Sequence, residues 1–192
     1  MNLYLLYYKV LYTEEMITSM KQIPPKVLQT DRLTIDKISG ESLEDVLAIL
    51  CSPAVTQTYM VPDLDKEGMG KLALRFAELS QKQERFVRGI FLNGKLIGLM
   101  NDTEITATEI ELGWAIHPEY HCRGYCTEAV CAAIAALLEA GFSQVTAGAF
   151  ECNRASTRVM EKAGMMPIDK TEEISYRGKT HRCVYYASKQ EQ

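Results

Sequence analysis

The sequence predicts an α/β (α+β) fold: a mixed, mostly antiparallel central sheet with helices on both sides. Two observations lead there. Apolar runs at 86–92 and 95–101 flank Asn93-Gly94, a dipeptide that suits a tight antiparallel hairpin because both residues tolerate positive φ. Strand-like segments 109–116 and 144–150 are separated by an apolar-periodic segment of helix length, so these two strands run parallel through a crossover.

The elements follow in order. Residues 32–38 alternate as a strand, Ser39-Gly40 interrupts, and 41–51 have helical apolar spacing through Leu43, Val46, Leu47 and Leu50. Pro53 and Pro62 bracket an irregular stretch, after which 66–83 form an amphipathic helix with Leu72, Phe76 and Leu79 on one face. The Asn-Gly hairpin and 109–116 make an antiparallel meander. A helix over 124–140 buries Val130, Ile134, Leu137 and Leu138, with Thr127 able to cap it, Glu128 and Ala129 beginning it, and Gly141 stopping it. Strand 144–150 leads to a helix capped by Asn153 and ended at Gly164, and 167–176 and 180–187 close the chain as a hairpin around Arg177-Gly178. The order is β-α-α-β-β-β-α-β-α-β-β, with no internal repeat.

Composition bounds the function. The 192 residues fit one domain, with 47% hydrophobic and 24% charged residues, as in ordinary globular chains. The net charge is −4, and its acidic excess falls in residues 1–118, while 119–192 carry nine residues of each sign. That argues against a nucleic-acid partner, which needs a basic face, and is compatible with a cationic amine. No run reaches membrane-span length, so no membrane partner is expected. Residues 1–27 form an N-terminal extension whose apolar MNLYLLYYKVLY lacks a basic n-region and is followed by Glu14-Glu15. A signal peptide is not expected there; an edge strand, a tail, or a start at Met16 or Met20 all remain open. Six cysteines form no C-x-x-C pair, and free thiols without a leader suggest the cytoplasm. His117, His121, Cys122 and Cys126 lie close together but meet no structural-zinc spacing, so no metal is expected.

The chemistry concentrates in ELGWAIHPEYHCRGYCTEA, residues 111–129, where a strand runs through an Arg-Gly loop straight into a helix. A helix N-terminus leaves four backbone N–H groups unpartnered and carries partial positive charge, which suits a phosphate. Gly124 permits close backbone approach and Arg123 adds a charge. About one helix and one strand later comes Asn153-Arg-Ala-Ser156-Thr-Arg-Val-Met160-Glu-Lys-Ala-Gly164. Together these resemble the acetyl-CoA signature of the GNAT N-acetyltransferases, and most closely their ribosomal-protein N-terminal acetyltransferase (RimJ/RimL-like) branch. Thr30-Asp-Arg-Leu33 resembles that branch's opening strand, and the resemblance covers roughly 28–188.

The resemblance implies a GNAT fold whose two parallel central strands splay apart in a V. It implies acetyl-CoA as co-substrate, with the pantetheine arm in the gap beside Trp114, Ala115 and Ile116. The pyrophosphate would meet His121, Cys122, Arg123, Gly124, Tyr125, Cys126 and Thr127, Asn153 would touch the cofactor arm or the acceptor, and Ser156 would lie near the thioester sulfur. The loop departs from the family pattern at His121, which keeps a donor, and at Cys126, which is small enough for close approach. The widespread family acid, a tyrosine seven residues after the asparagine, is Met160 here, so Ser156 is the candidate to assist the sulfur.

The implied reaction is attack of an amine on a thioester by direct transfer in a ternary complex. An alkylammonium with pKa near about 10 must first lose a proton, usually to a carboxylate. Glu109 and Glu111 share one face of their strand and Glu151 ends the next; Glu111, deeper in its strand, is the candidate base. A backbone N–H near 114–116 would meet the oxyanion. Trp114, Tyr120 and Tyr125, and Tyr176, Tyr185 and Tyr186, could line the acceptor pocket. Cys126 or Cys152 as an acetyl carrier is a second mechanism, and a non-catalytic acyl-CoA-binding regulatory module a second function. A nucleotide-binding protein is disfavoured by the absence of G-x-x-x-x-G-K-[ST] and G-x-G-x-x-G. The acceptor, a protein N-terminus or a small-molecule amine, is left open, with its determinants expected in 41–83 and the closing hairpin. Monomer and homodimer both remain open.

Overall fold

The computed structural model describes residues 27–189; the N-terminal extension lies almost wholly outside them. Its eight strands are β1 (Leu28–Gln29), β2 (Leu33–Asp36), β3 (Val87–Leu92), β4 (Lys95–Ile105), β5 (Glu109–Ile116), β6 (Gln144–Phe150), β7 (Met166–Tyr176) and β8 (Lys179–Lys189). Its five α-helices are α1 (Leu43–Leu50), α2 (Pro53–Thr56), α3 (Lys66–Ser80), α4 (Tyr125–Glu139) and α5 (Arg154–Lys162). The strands form one sheet, ordered β1-β2-β3-β4-β5-β6-β8-β7, in which the neighbours β5 and β6 alone run parallel. The predicted mixed sheet is therefore present, with β1 and the short α2 added. In α2, Pro53 occupies the first helical turn, where its fixed φ favours helix and its missing N–H costs nothing, so the proline begins an element instead of breaking one.

Two apolar cores lie on opposite faces of the sheet. On one, α4 sets Ala129, Val130, Ala133, Ile134 and Leu137 against Ile97, Met100, Ile110, Leu112 and Val145. On the other, α1 and α3 bury Val46, Ile49, Leu50, Ala73 and Phe76 against Val87 and Leu99. Burying each of the larger side chains contributes roughly 1.5–3 kcal/mol. Leu138, expected inside, is only half-buried, because the helix turns about 100° per residue and Leu137 takes the inward place. The Asn93-Gly94 turn has φ of 50° and 82°, the pair of positive values the tight hairpin requires.

The start of α4 differs from the sequence expectation. The helix opens at Tyr125 with Gly124 as N-cap at φ 80°, so Thr127 sits inside the first turn and caps nothing. With Gly124 in the left-handed region, an unfavourable place for a side chain, the loop enters the helix three residues earlier than a Thr127 cap would allow. That shift frees Glu128 for a different task. Its carboxylate accepts from Thr30 Oγ1 at 2.6 Å, from the Arg32 backbone N–H at 3.0 Å and from Arg32 Nε at 2.7 Å. Arg32 also donates to the Arg123 carbonyl at 3.0 Å and lies over the Tyr125 ring. The Thr30–Leu33 motif thus fastens the first strands to the loop and helix that shape the site.

Burial works against the charged form of Glu128, but the hydrogen bonds from Thr30 and from the Arg32 side chain and backbone outweigh it and hold the carboxyl below the usual range. A depressed carboxylate stabilises the fold above its unfolded pKa of about 4.3 and ceases to do so as pH falls through the lower folded value. Glu128→Gln is therefore expected to cost about 1–2 kcal/mol in urea unfolding at neutral pH, with the gap to wild type closing in acid. A gap of equal size at both pH values would contradict this role.

Candidate active site

The site begins where a ladder stops. β5 and β6 pair at three positions only, Glu109–Gln144, Ile110–Val145 and Glu111–Thr146. Beyond them β5 stays bound to β4 as far as Ile116, and β6 to β8 as far as Phe150. The two strands therefore part in the expected V. Bond parity shows which groups face the gap. The His117 N–H donates to the Ile97 carbonyl at 2.8 Å, so odd-numbered residues of β5 bond toward β4, and the backbone groups of Trp114 and Ile116 point into the V. Likewise the Glu151 N–H donates to Arg182 at 2.9 Å, which turns Gly148 and Phe150 toward the V from the other side. A Cβ on Gly148 would come within 2.6 Å of the Tyr185 ring, which lines the same cleft, so the ring lies close over a bare backbone here.

A cleft of about 920 Å³ occupies the V and runs under the closing hairpin. At its open end, Gly124, Tyr125, Cys126 and Thr127 bring the first turn of α4 to the wall, and no side chain caps that helix. His121 donates through Nε2 to the Ile116 carbonyl at 2.7 Å, which fixes its tautomer and spends the donor on the protein's own backbone. Arg123 is not among the lining residues; its guanidinium lies over the Tyr120 ring, 5.9 Å from the centroid. The cations on the wall are instead Arg158 and Lys162, one turn apart on α5, and Arg85, which pairs with Asp102. The α5 pair was missed in the sequence, although its i,i+4 spacing after Asn153 places it on the helix face that follows the cap.

Asn153 caps α5, accepting from the Ser156 N–H at 3.2 Å and donating through Nδ2 to Ser156 Oγ at 3.0 Å. With that oxygen accepting from Asn153, the Ser156 hydroxyl proton is available to a group in the cleft, which Ser156 lines. Met160, where the family tyrosine would stand, is fully buried in the core.

At the inner end the wall is made of side chains. Glu111 lines it, accepting from Thr103 Oγ1 at 2.8 Å and lying 3.5 Å from Lys170 Nζ. Thr103 stands where the β4–β5 register shifts, and this irregularity aims its hydroxyl at the carboxylate. Burial raises the Glu111 pKa, opposed by Thr103 and Lys170. Glu109 is exposed and absent from the wall, and Glu151 pairs with Arg182 at 3.4 Å outside it, so the three sequence candidates separate cleanly. Nearby, Arg85 pairs with the buried Asp102 at 2.6 Å and Tyr59 donates to Asn101 at 2.5 Å. The Tyr176 hydroxyl donates to the Thr56 carbonyl at 2.8 Å and accepts from the Val61 N–H at 3.2 Å, fastening the hairpin to the segment after α2. Trp114, Tyr120, Tyr125, Tyr176 and Tyr185 all line the cleft; Tyr186 turns away to Glu161. Among the described residues no cluster of His, Cys, Asp and Glu could hold a metal ion.

Comparison with known proteins agrees with this geometry. The acetyltransferase (GNAT) domain family matches residues 32–166. The uncharacterized N-acetyltransferase YoaA of Bacillus subtilis (strain 168) is 26% identical over 160 residues, covering 80% of this chain and 90% of YoaA. The RimL ribosomal L7/L12 alpha-N-protein acetyltransferase in complex with coenzyme A superposes with TM-score 0.74 at 14% identity, over 88% of this chain and 97% of RimL. The microcin C7 self-immunity acetyltransferase MccE, solved with acetyl-CoA and AMP, gives 0.75 at 12% identity, over 88% and 99% of the two chains. At such identities the two structures speak for the fold alone.

Burial pushes the Cys126 thiol up to about 12, whereas Cys122 and Cys152 are exposed. Because the thiolate is the reacting species, alkylation of the native protein near neutral pH is expected to label Cys122 and Cys152 well before Cys126, as read by peptide mass spectrometry. Equal rates at Cys126 and Cys122 would contradict the environment described for Cys126.

Proposed function

The chain belongs to the GNAT acetyltransferase family, and from that membership as an N-acetyltransferase we propose the following division of labour. Residues 28–188 form the catalytic domain, acting in the cytoplasm, without a metal, and moving an acetyl group from acetyl-CoA to a primary amine by direct transfer. The observation that carries the reading is the interrupted β5–β6 ladder opening onto an uncapped helix N-terminus. The gap offers strand-edge backbone groups to an amide-bearing arm, and the helix offers N–H groups and partial positive charge to a pyrophosphate.

The residues fit such a co-substrate. The Trp114 N–H and carbonyl and the Ile116 N–H face the V, while the Ile116 carbonyl is already satisfied by His121. Backbone N–H groups of Gly124–Thr127 hold the phosphates, with Arg158 and Lys162 supplying the charge that Arg123 was expected to bring. Cys126 serves as a small wall residue, since a thiol held so far above neutral pH makes a poor acetyl carrier.

Glu111 takes the proton of the acceptor's ammonium, directly or through one water, and its raised pKa makes it a better proton acceptor than an exposed glutamate. The freed nitrogen bonds to the carbonyl carbon, and a backbone N–H of Trp114 or Ile116 meets the oxygen as it gains charge. When the carbon–sulfur bond breaks, Ser156 donates its hydroxyl hydrogen bond to the departing thiolate. The acceptor enters beneath the hairpin, between the segment after α2 and β7, where a peptide N-terminus or a small amine both find room.

Calorimetric titration with acetyl-CoA and CoA is expected to show micromolar binding, and thiol release is expected to depend on an added amine. Glu111→Gln should lower kcat by about 10²–10⁴ and Ser156→Ala by about tenfold, both with CoA affinity unchanged. Because the base must be ionised, kcat/KM should rise with pH through a value above the about 4.3 of an ordinary glutamate. Binding without turnover on a broad amine panel would favour the regulatory module, and absence of CoA binding would overturn the reading.

A further inference from the structure

Lys170 does not itself line the cleft, but it touches three residues that do, Glu111, Glu172 and Tyr185. Lys170 Nζ lies 3.5 Å from Glu111 Oε2, 3.6 Å from Glu172 Oε1 and 4.0 Å from the centroid of the Tyr185 ring. Two carboxylates and an aromatic face are the groups that recognise an alkylammonium. Here they surround one that belongs to the protein itself. Glu104 on β4 adds a further negative charge to the field at Lys170, so the box remains net anionic with its lysine in place.

The backbone beneath Lys170 is loosely tied. The β7–β8 register runs from Pro167–Tyr186 directly to Thr171–Val184, leaving Ile168, Asp169 and Lys170 opposite the single residue Tyr185. No ladder pair fixes Lys170, and its side chain is 40% exposed, so the ammonium is held by its ion pairs and the ring rather than by burial. Partly exposed ion pairs of this kind are worth little and exchange readily.

We propose that Glu111, Glu172 and the Tyr185 ring form the ammonium subsite of the acceptor, and that Lys170 is its resident occupant, displaced when a primary amine enters. The proposal deepens the acetyltransferase reading and rests on it for the assignment of this end of the cleft to the acceptor. It gives the substrate class a physical definition: an unhindered primary ammonium on an alkyl stem, able to enter as the lysine itself does. It also gives Lys170 two consequences. In the free enzyme its charge opposes the pull of burial on Glu111, and on acceptor binding it yields the carboxylate to the amine whose proton Glu111 takes. Selection follows, because an acceptor must outcompete a tethered lysine and a neutral amide or hydroxyl cannot.

The groups facing the box come from every strand around it: Glu104 from β4, Glu111 from β5, Glu172 from β7, and Cys183 and Tyr185 from β8. The test is direct binding rather than turnover. Propylamine hydrochloride is titrated into the CoA-saturated full chain, at a pH well above the carboxylate range, for wild type, Lys170→Met, Glu172→Gln and Lys179→Met. The last makes the same change of charge at an exposed site elsewhere on the hairpin. Lys170→Met should bind the amine roughly fivefold tighter, the size of one partly exposed ion pair, and Glu172→Gln more weakly. Lys179→Met should match wild type, and CoA affinity should be the same in all four proteins, which reports on folding. Unchanged or weaker amine binding in Lys170→Met overturns the proposal, as does equal tightening in Lys179→Met, or no amine binding where CoA binding is intact. Loss of CoA binding in the wild type would instead overturn the acetyltransferase reading.

Discussion

The structure depends on a ladder that stops after three pairs. Had β5 and β6 stayed zipped beyond Glu111–Thr146, the backbone groups of Trp114, Ile116, Gly148 and Phe150 would satisfy one another and the sheet would have no opening. Because β4 holds β5 on one side and β8 holds β6 on the other, each strand keeps its shape after they separate. The cost of leaving strand edges unpaired is met by cores on both faces of the sheet, and especially by α4, which packs across the strands just where they begin to part. The V is thus held open by the pairing of its two strands to β4 and β8.

The two ends of the resulting cleft are built from different materials. The outer end uses backbone: strand edges, and the first turn of a helix whose entry is set by Gly124 and fastened through Glu128 to Thr30 and Arg32. Main-chain donors read phosphate and amide groups regardless of which side chains surround them. The inner end uses side chains drawn from distant segments: Tyr59 after α2, Asn101 and Thr103 on β4, Glu111 on β5, Glu172 on β7 and Tyr185 on β8, with Lys170 of β7 behind Glu111 and Glu172. On the proposed reading, such a division would let one end keep its co-substrate while the other changed acceptors by substitution.

That division also explains what the sequence made legible. The Arg-Gly loop running into a helix, the Asn153–Ser156 cap, the Asn-Gly turn and the helix-length crossover are local patterns, and each appears where its local chemistry places it. Where the reading slipped, a tertiary contact had intervened. Thr127 lost its capping role because Gly124 begins the helix early, and the Arg123 side chain lies over Tyr120 while Arg32 takes its carbonyl. His121 kept a donor, as expected, but donates it to Ile116. The choice of Glu111 over Glu109 rested on depth in the strand alone; burial, Thr103 and Lys170 distinguish it in space. Those partners come from a β4 irregularity and from a hairpin 59 residues downstream, relations that no local pattern carries.

The central claim is that one ligand spans the opened strand edges and the α4 N-terminus. Amide chemical shifts of the labelled protein, followed as CoA is added, test it most directly. The account predicts that the largest changes fall together on Trp114, Ile116, Gly148 and Gly124–Thr127, with those of β2 and β3 unmoved. Changes confined to the helix N-terminus, or lying outside the V altogether, would contradict it.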